Sequence, residues 1–153
     1  SMPFQLPLCQ VIPLTDDQVS MQIDGVEKTR WHFAAKYPRP FFYPILGPSG
    51  ETLTRMGHPG APNHDHHRSV WWAHAKVDGE DYWSENGGTQ IRQQLWLAYA
   101  DSDAEALMAT RAGWINQAGQ TVMEQEMWPP CVRGRRTNGF WKCNPPSRPR
   151  SHR

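Results

Sequence analysis

The sequence predicts an all-β fold, an antiparallel β-sandwich, on three observations. Short runs rich in β-branched and aromatic residues are separated by turn signals at close spacing, which is typical of sandwiches. Fourteen prolines and twelve glycines spread through 153 residues disfavour long helices. The segment Thr89–Ala100 alternates residue types with the period of two that a strand requires.

The predicted strands follow one another along the chain. Residues 2–15 are apolar and interrupted by proline, so we expect an irregular segment or an edge strand there. Asp24-Gly25 is a hairpin signal, and Pro48-Ser49-Gly50, Asp78-Gly79 and residues 116–119 mark further turns. The predicted strands between these turns are Val19–Ile23, Thr29–Tyr37, Phe41–Leu46, Glu51–Arg55, Ser69–Lys76, Thr89–Ala100, Leu107–Ile115 and Thr121–Glu126.

Strand periodicity also predicts which side chains share a face. In the segment 89–100, one face is predicted to carry Ile91, Gln93, Leu95, Leu97 and Tyr99. Most of the eight tryptophans are expected in the core because large aromatic side chains gain most from burial. These core tryptophans are Trp31, Trp83, Trp96, Trp114 and Trp128.

Charge divides the chain into two parts. All fifteen acidic residues lie at or before Glu126, and residues 129–153 carry seven Lys or Arg. We therefore expect a partial β-sandwich domain at 1–128 and an irregular, basic, Pro/Arg-rich tail at 129–153. The tail is either a disordered segment able to contact anionic surfaces or the product of a shifted reading frame. The second interpretation arises because Gly139–Cys143, read two bases later, encodes an alternating strand pattern.

Composition excludes several classes of partner. No run of about 18 apolar residues is present, so no membrane-spanning helix is expected. The N-terminus shows no secretory signal and the three cysteines form no disulfide framework, which together favour a cytoplasmic location. Phosphate loops, dinucleotide glycine motifs and paired zinc cysteines are lacking, and the near-neutral net charge of +1 makes nucleic acid an unexpected partner.

Five of the seven histidines lie between residues 58 and 74, which makes this the chemically richest stretch. His66 and His67 are candidate catalytic acids or bases because imidazole titrates near neutral pH. His64 and His66, two residues apart, could bind a divalent metal ion, the one cofactor that the sequence suggests. The alternative is that these histidines only hydrogen-bond to hold a loop. Arg68 and His74 share a strand face if the pairing is regular.

A second cluster covers residues 78–85, where acidic and aromatic side chains alternate. Tyr82 could form part of an aromatic wall for a sugar, and Glu85 is the better catalytic candidate, whereas Trp83 fits the core. Two carboxylates at a suitable separation would permit glycoside hydrolysis. Arg39 precedes an aromatic run and could bind a carboxylate or hydroxyl group, or could simply be a surface arginine.

These segments, taken in order, resemble the PmoA-like family of bacterial proteins. The shared features are an Arg-Pro-aromatic segment (39–44), a His-rich loop (64–71) and an Asp-aromatic-Trp segment (81–85). The resemblance covers about residues 30–126 and only the N-terminal part of the family's length. Asp65 stands where the family has Pro, and Ser69 where it has Gly. The resemblance implies a mutarotase-like β-sandwich that is incomplete in this chain.

The resemblance implies a carbohydrate-related role, as a hydrolase, lyase or epimerase of a sugar derivative. Methane oxygenation is excluded because that activity needs a membrane-embedded enzyme. The implied ligand is a small molecule or oligosaccharide. A homodimer is expected if the sandwich is incomplete, because its sheet edges and apolar face would be unpaired. In this role His66, His67 and Glu85 would be catalytic, and the binding residues would be Arg39, Arg68, Trp71, Tyr82 and His74. The alternatives are a non-catalytic carbohydrate-binding module and an inactive truncated fragment.

Overall fold

The computed structural model describes residues 3–57, 60, 64, 66–128 and 131–132. Over these residues the chain is all-β, with two antiparallel sheets and no helix, and therefore no helix able to cross a membrane. The strands are β1 (Cys9–Leu14), β2 (Gln18–Ile23), β3 (Val26–His32), β4 (Phe41–Ile45), β5 (Val70–Trp71), β6 (Gln90–Ala100), β7 (Glu105–Ile115), β8 (Thr121–Met127) and β9 (Cys131–Val132). The predicted all-β, two-sheet fold is confirmed.

The first sheet is a meander of five strands in the order β1-β2-β3-β4-β5. The apolar segment before residue 16 supplies its edge strand, one of the two structures expected there. The β2–β3 hairpin turns at Asp24 and Gly25, whose φ angles of 52° and 71° are both left-handed. A type I′ turn requires this conformation at both central residues, which is why the Asp-Gly pair identified it.

The second sheet has the order β6-β7-β8, and β9 pairs with the beginning of β7 at Glu105 and Ala106. Apart from β9, the predicted basic tail lies outside the described residues. Apolar side chains from both sheets meet in one buried cluster, which packs the sheets face to face. Its members are Cys9, Val11, Val19, Met21, Trp31 and Phe42 from the first sheet and Ala106, Met108 and Met127 from the second.

Three predicted strands are wrong or shortened. The strand predicted at Thr29–Tyr37 ends at His32. Glu51–Arg55 is not a strand, since its pairing reduces to one isolated bridge between Leu46, just after β4, and Thr52. The strand predicted at Ser69–Lys76 shrinks to the two residues of β5. Ser69 itself has a φ of 54°, a left-handed conformation that no regular strand contains. These departures leave the described residues between β4 and β5, which are 46–57, 60, 64 and 66–69, without a regular strand.

The face pattern predicted for β6 is also wrong, because two β-bulges interrupt the strand. Its register shifts between Gln93 and Leu95 and again between Trp96 and Ala98. Each bulge adds an unpaired residue and reverses the alternation of faces. Trp96, which was expected in the core, is 36% exposed. Among the other tryptophans expected in the core, Trp31 and Trp114 are buried, whereas Trp83 and Trp128 are 43% and 38% exposed.

Candidate functional site

The candidate site lies where two loops meet, the histidine-rich loop before β5 and the segment 81–89 before β6. The first loop is held by Gly57 and Ser69, whose amides donate to the carbonyls of His67 and Arg55 at 2.7 and 3.0 Å. The Ser69 hydroxyl also donates to Thr54 Oγ1 at 2.7 Å. The two backbone bonds form an isolated antiparallel bridge between Met56 and Arg68, and together with the Ser69 hydroxyl they fix the loop against residues 54–57.

Arg68 and Glu85 join the two loops by an ion pair. Arg68 donates from Nε and from Nη2 to Glu85 Oε1, each at 2.6 Å. The Arg68 guanidinium also lies 4.8 Å from the centroid of the Tyr37 ring and 5.9 Å from that of Phe41. Both distances allow a cation–π attraction. The structure therefore brings two predicted site residues, Arg68 and Glu85, into direct contact and fixes the arginine on an aromatic support.

His66 and Trp83 make the second contact between the loops, with 3.0 Å between Trp83 Nε1 and His66 Nε2. An indole nitrogen can only donate, so His66 Nε2 accepts, and the neutral imidazole carries its proton on Nδ1. The His67 ring lies 4.4 Å from the His66 ring, and Trp71 lies 5.6 Å from His67. The structure thus places His66, His67 and Trp71 in one aromatic cluster with Trp83.

A metal site gains no support from the geometry. His64 and His66 have ring centroids 6.4 Å apart, and His66 Nε2 is already occupied by the Trp83 indole. Among the residues that the structure describes, no group of three or more His, Cys, Asp or Glu side chains could hold a metal ion. The predicted metal binding by His64 and His66 stays a prediction.

Arg39 is placed beneath the site and bonded to main chain. Its side chain is buried, with the whole residue only 4% exposed. It donates from Nη1 to the carbonyls of Tyr82 and Trp83, at 2.6 and 2.5 Å, and from Nη2 to that of Ser84 at 2.9 Å. Burial lowers the pKa of Arg39, while the nearby Glu85 carboxylate opposes that shift. This geometry differs from the predicted binding role, because three carbonyls occupy the guanidinium and make it a support for the loop.

Tyr82 and His74 also differ from their predicted roles in ligand binding. Tyr82 is 1% exposed and packs on Trp114, with 5.1 Å between ring centroids, so it is a core residue. Burial raises the pKa of its phenol. His74 is exposed, and its Nδ1 accepts a bond from the amide of Lys76 at 3.1 Å. Residues 72–76 lie outside any strand, so the strand alternation expected to bring His74 to the face of Arg68 does not apply.

A surface cleft of about 390 Å³ opens beside the Arg68–Glu85 pair. Sequence reasoning missed several of its residues, among them Lys36, Tyr37 and Arg92. The only signals in the sequence were that Lys36 and Tyr37 lie close to Arg39 and that Arg92 belongs to the predicted strand Thr89–Ala100. Arg92 donates to the carbonyls of Tyr37 and Ala35, the latter at 2.9 Å. The cleft is lined by Ala35, Lys36, Tyr37, Pro38, Arg68, Glu85, Asn86, Gly88, Thr89, Gln90 and Arg92.

A family model described as a family of unknown function (DUF6807) matches residues 18–128. The chain belongs to this family. The match spans every strand from β2 to β8 and both loops of the candidate site, so the cleft is part of the DUF6807 domain. No curated protein and no solved structure matches the chain. This match does not link the chain to the PmoA-like family, so that resemblance stays a prediction.

Proposed function

We propose that this DUF6807 protein binds a sugar derivative in the cleft beside Arg68 and Glu85. The observation that supports the proposal is the cleft itself, about 390 Å³ in volume and lined mostly by polar side chains. A carboxylate and a guanidinium fixed together offer acceptors and donors to neighbouring hydroxyl groups. Asn86 and Gln90 add amide groups to the same lining. A volume of this size is sufficient for a small-molecule ligand.

The chemistry best matched to this cleft is proton transfer, as in a lyase or an epimerase. Glu85 is the only carboxylate among the described residues of the lining, whereas hydrolysis by the usual route requires two carboxyl groups. Glu85 would act as the base. His66 and His67 lie on the same loop as Arg68, outside the described lining, and would supply a second proton-transfer group if the ligand extends toward them.

Calorimetric titration with a panel of sugars and sugar acids tests the binding. We expect Arg68→Gln to weaken binding about tenfold or more, because a fixed, charge-assisted donor is lost. The matched control is Arg111→Gln, since Arg111 forms a similar ion pair with Glu126 at 3.0 Å but does not line the cleft. Unchanged affinity in Arg68→Gln, or an equal loss in both variants, would contradict the proposal.

Product formation separates an enzyme from a binding module. The specific observation that favours a module is Trp83, which is 43% exposed beside the site and offers an aromatic surface to a sugar ring. Proton NMR of any ligand that binds would show solvent deuterium exchange or a new product if Glu85 is a base. Glu85→Gln should then abolish turnover and retain binding. Binding with no exchange and no product would assign the non-catalytic role.

A further inference from the structure

The cleft has an excess of positive charge that its surroundings do not share. Residues 1–128 carry nine Lys or Arg against fifteen Asp or Glu, a net charge of −6. Three of those nine cations, Lys36, Arg68 and Arg92, line this one cleft, and Glu85 is the one carboxylate among its described lining residues. Charge of one sign gathered in a concave surface strengthens the local potential and attracts ligands of the opposite sign.

Two of the three cations, Lys36 and Arg92, form no ion pair with another residue that the structure describes. Among the ion pairs between described residues, Arg68–Glu85 is the one that lies in the cleft. Arg92 donates to two uncharged carbonyls, which fix its guanidinium without neutralising it. The exposed Lys36 has its ammonium group 5.2 Å from the centroid of the Tyr37 ring. Arg68 lies 4.8 Å from the same centroid, so both cations are gathered around one side chain.

We propose that the ligand of this cleft is an acidic sugar, whose carboxylate or phosphate group is bound by Lys36 and Arg92 while Arg68 and Glu85 contact its hydroxyl groups. The inference rests on the proposed function and adds the ligand's charge to it. Arg92 has five N–H donors and uses two of them on the carbonyls of Tyr37 and Ala35, so three remain for a carboxylate or a phosphate. The adjacent ammonium adds a second positive charge without a fixed geometry.

The test compares ligands that differ only in their anionic group. Glucose, glucuronate and glucose 6-phosphate, and the corresponding galactose series, are titrated into the full chain at low and high salt. We expect one acid to bind at least tenfold more tightly than its neutral parent, with an affinity that falls as salt rises. Lys36→Gln should weaken the acid about fivefold and leave the neutral sugar unchanged. The matched control is Lys76→Gln, an exposed lysine outside the lining.

Each result has a distinct meaning. Preference for the uronate identifies a carboxylate ligand, and preference for the phosphate ester identifies a sugar phosphate. Equal affinity for the neutral sugars and the acids overturns the inference and leaves the proposed function standing. If Lys36→Gln leaves the preference for the acid unchanged, the assignment of the anionic group to this lysine is overturned. Failure of every sugar in the panel to bind overturns the proposed function and this inference with it.

Discussion

His32 shows what partial burial does to a single titratable residue. Its Nε2 lies 2.7 Å from the Tyr43 carbonyl and its ring stacks on Phe41 at 4.7 Å with 11° between the planes. Burial lowers the pKa of His32, and the bond to the Tyr43 carbonyl only partly opposes this shift. The unfolded chain therefore binds a proton more readily than the folded one. The stability that His32 confers is complete above pH 6.5 and is lost as the pH falls through the folded-state pKa.

We predict that His32→Gln reduces the acid sensitivity of the fold. Glutamine keeps an amide donor for the Tyr43 carbonyl and does not titrate. Between pH 7 and 5 the free energy of unfolding should fall less steeply in the variant, by at most about 1.4 kcal/mol per pH unit. Urea denaturation at several pH values measures the difference. The control is His74→Gln, at an exposed position. If the free energy of unfolding falls with pH equally steeply in the wild type and both variants, the role of His32 is contradicted.

At the scale of elements, the segment 81–85 is positioned by contacts at its backbone. Arg39 bonds three successive carbonyls of this segment, and the Asp81 carboxylate accepts bonds from Ser84 Oγ and from the amide of Trp83 at 2.7 Å. The Ser84 hydroxyl is the main cause of the lowered pKa of Asp81. Glu85 follows directly, so its position in the cleft depends on bonds made by its neighbours.

Replacing Arg39 by Lys should loosen this segment. A lysine keeps the charge but lacks the planar fork, so buried carbonyls lose partners at a cost of roughly 1–3 kcal/mol. Amide hydrogen exchange should rise in residues 82–89, and any cleft ligand should bind more weakly. The corresponding Arg111→Lys variant controls for the chemical change at an exposed ion pair. If residues 82–89 are equally protected from exchange in Arg39→Lys, the bonds from Arg39 to main chain are not needed to hold this segment.

The elements also show where sequence reasoning works in this protein. Turns such as Asp24-Gly25 could be predicted because the local chemistry requires one backbone conformation. The Arg68–Glu85 contact, 17 residues apart, could not, because nothing local encodes which loops meet. The bulges in β6 could not be predicted either, because they depend on how β6 pairs with β7. The burial of Arg39 and Tyr82 could not be predicted either, because polar side chains look alike in a sequence whether they face a ligand, main chain or the core.

At the scale of the whole molecule, one polar contact links the two sheets through their shared core. Trp31 is fully buried on β3, and its Nε1 donates to Gln93 Oε1 on β6 at 2.7 Å. Buried polar groups that lose their partner are costly, so this pair favours the observed facing of the two sheets, together with the bond from Tyr99 Oη to the Val11 carbonyl at 2.7 Å. The predicted homodimer stays a prediction, and the exposed Leu95 and Trp96 of β6 are where such contacts would be sought.

Trp31→Phe should destabilise the whole fold by about 2–4 kcal/mol, because it leaves a void and an unpaired Gln93 amide in the core. Equilibrium unfolding in guanidinium measures the loss. Adding Gln93→Met to this variant should recover part of it, since the unpaired amide is removed. Trp96→Phe, at a 36% exposed position, is the control and should cost far less. Equal losses in the two single variants would contradict the linking role of Trp31.

The bonds from Arg39 to the carbonyls of residues 82–84 have a consequence for which side chains of this surface can vary. Main-chain carbonyls are the same whatever amino acid carries them, so the arginine recognises the course of the backbone and not the identity of residue 83. Exchange of Trp83 removes its bond to His66 but leaves the Arg39 bonds that set the path of the segment. Relatives could acquire different ligand preferences by changing this one side chain, and a designer could randomise it without rebuilding the scaffold.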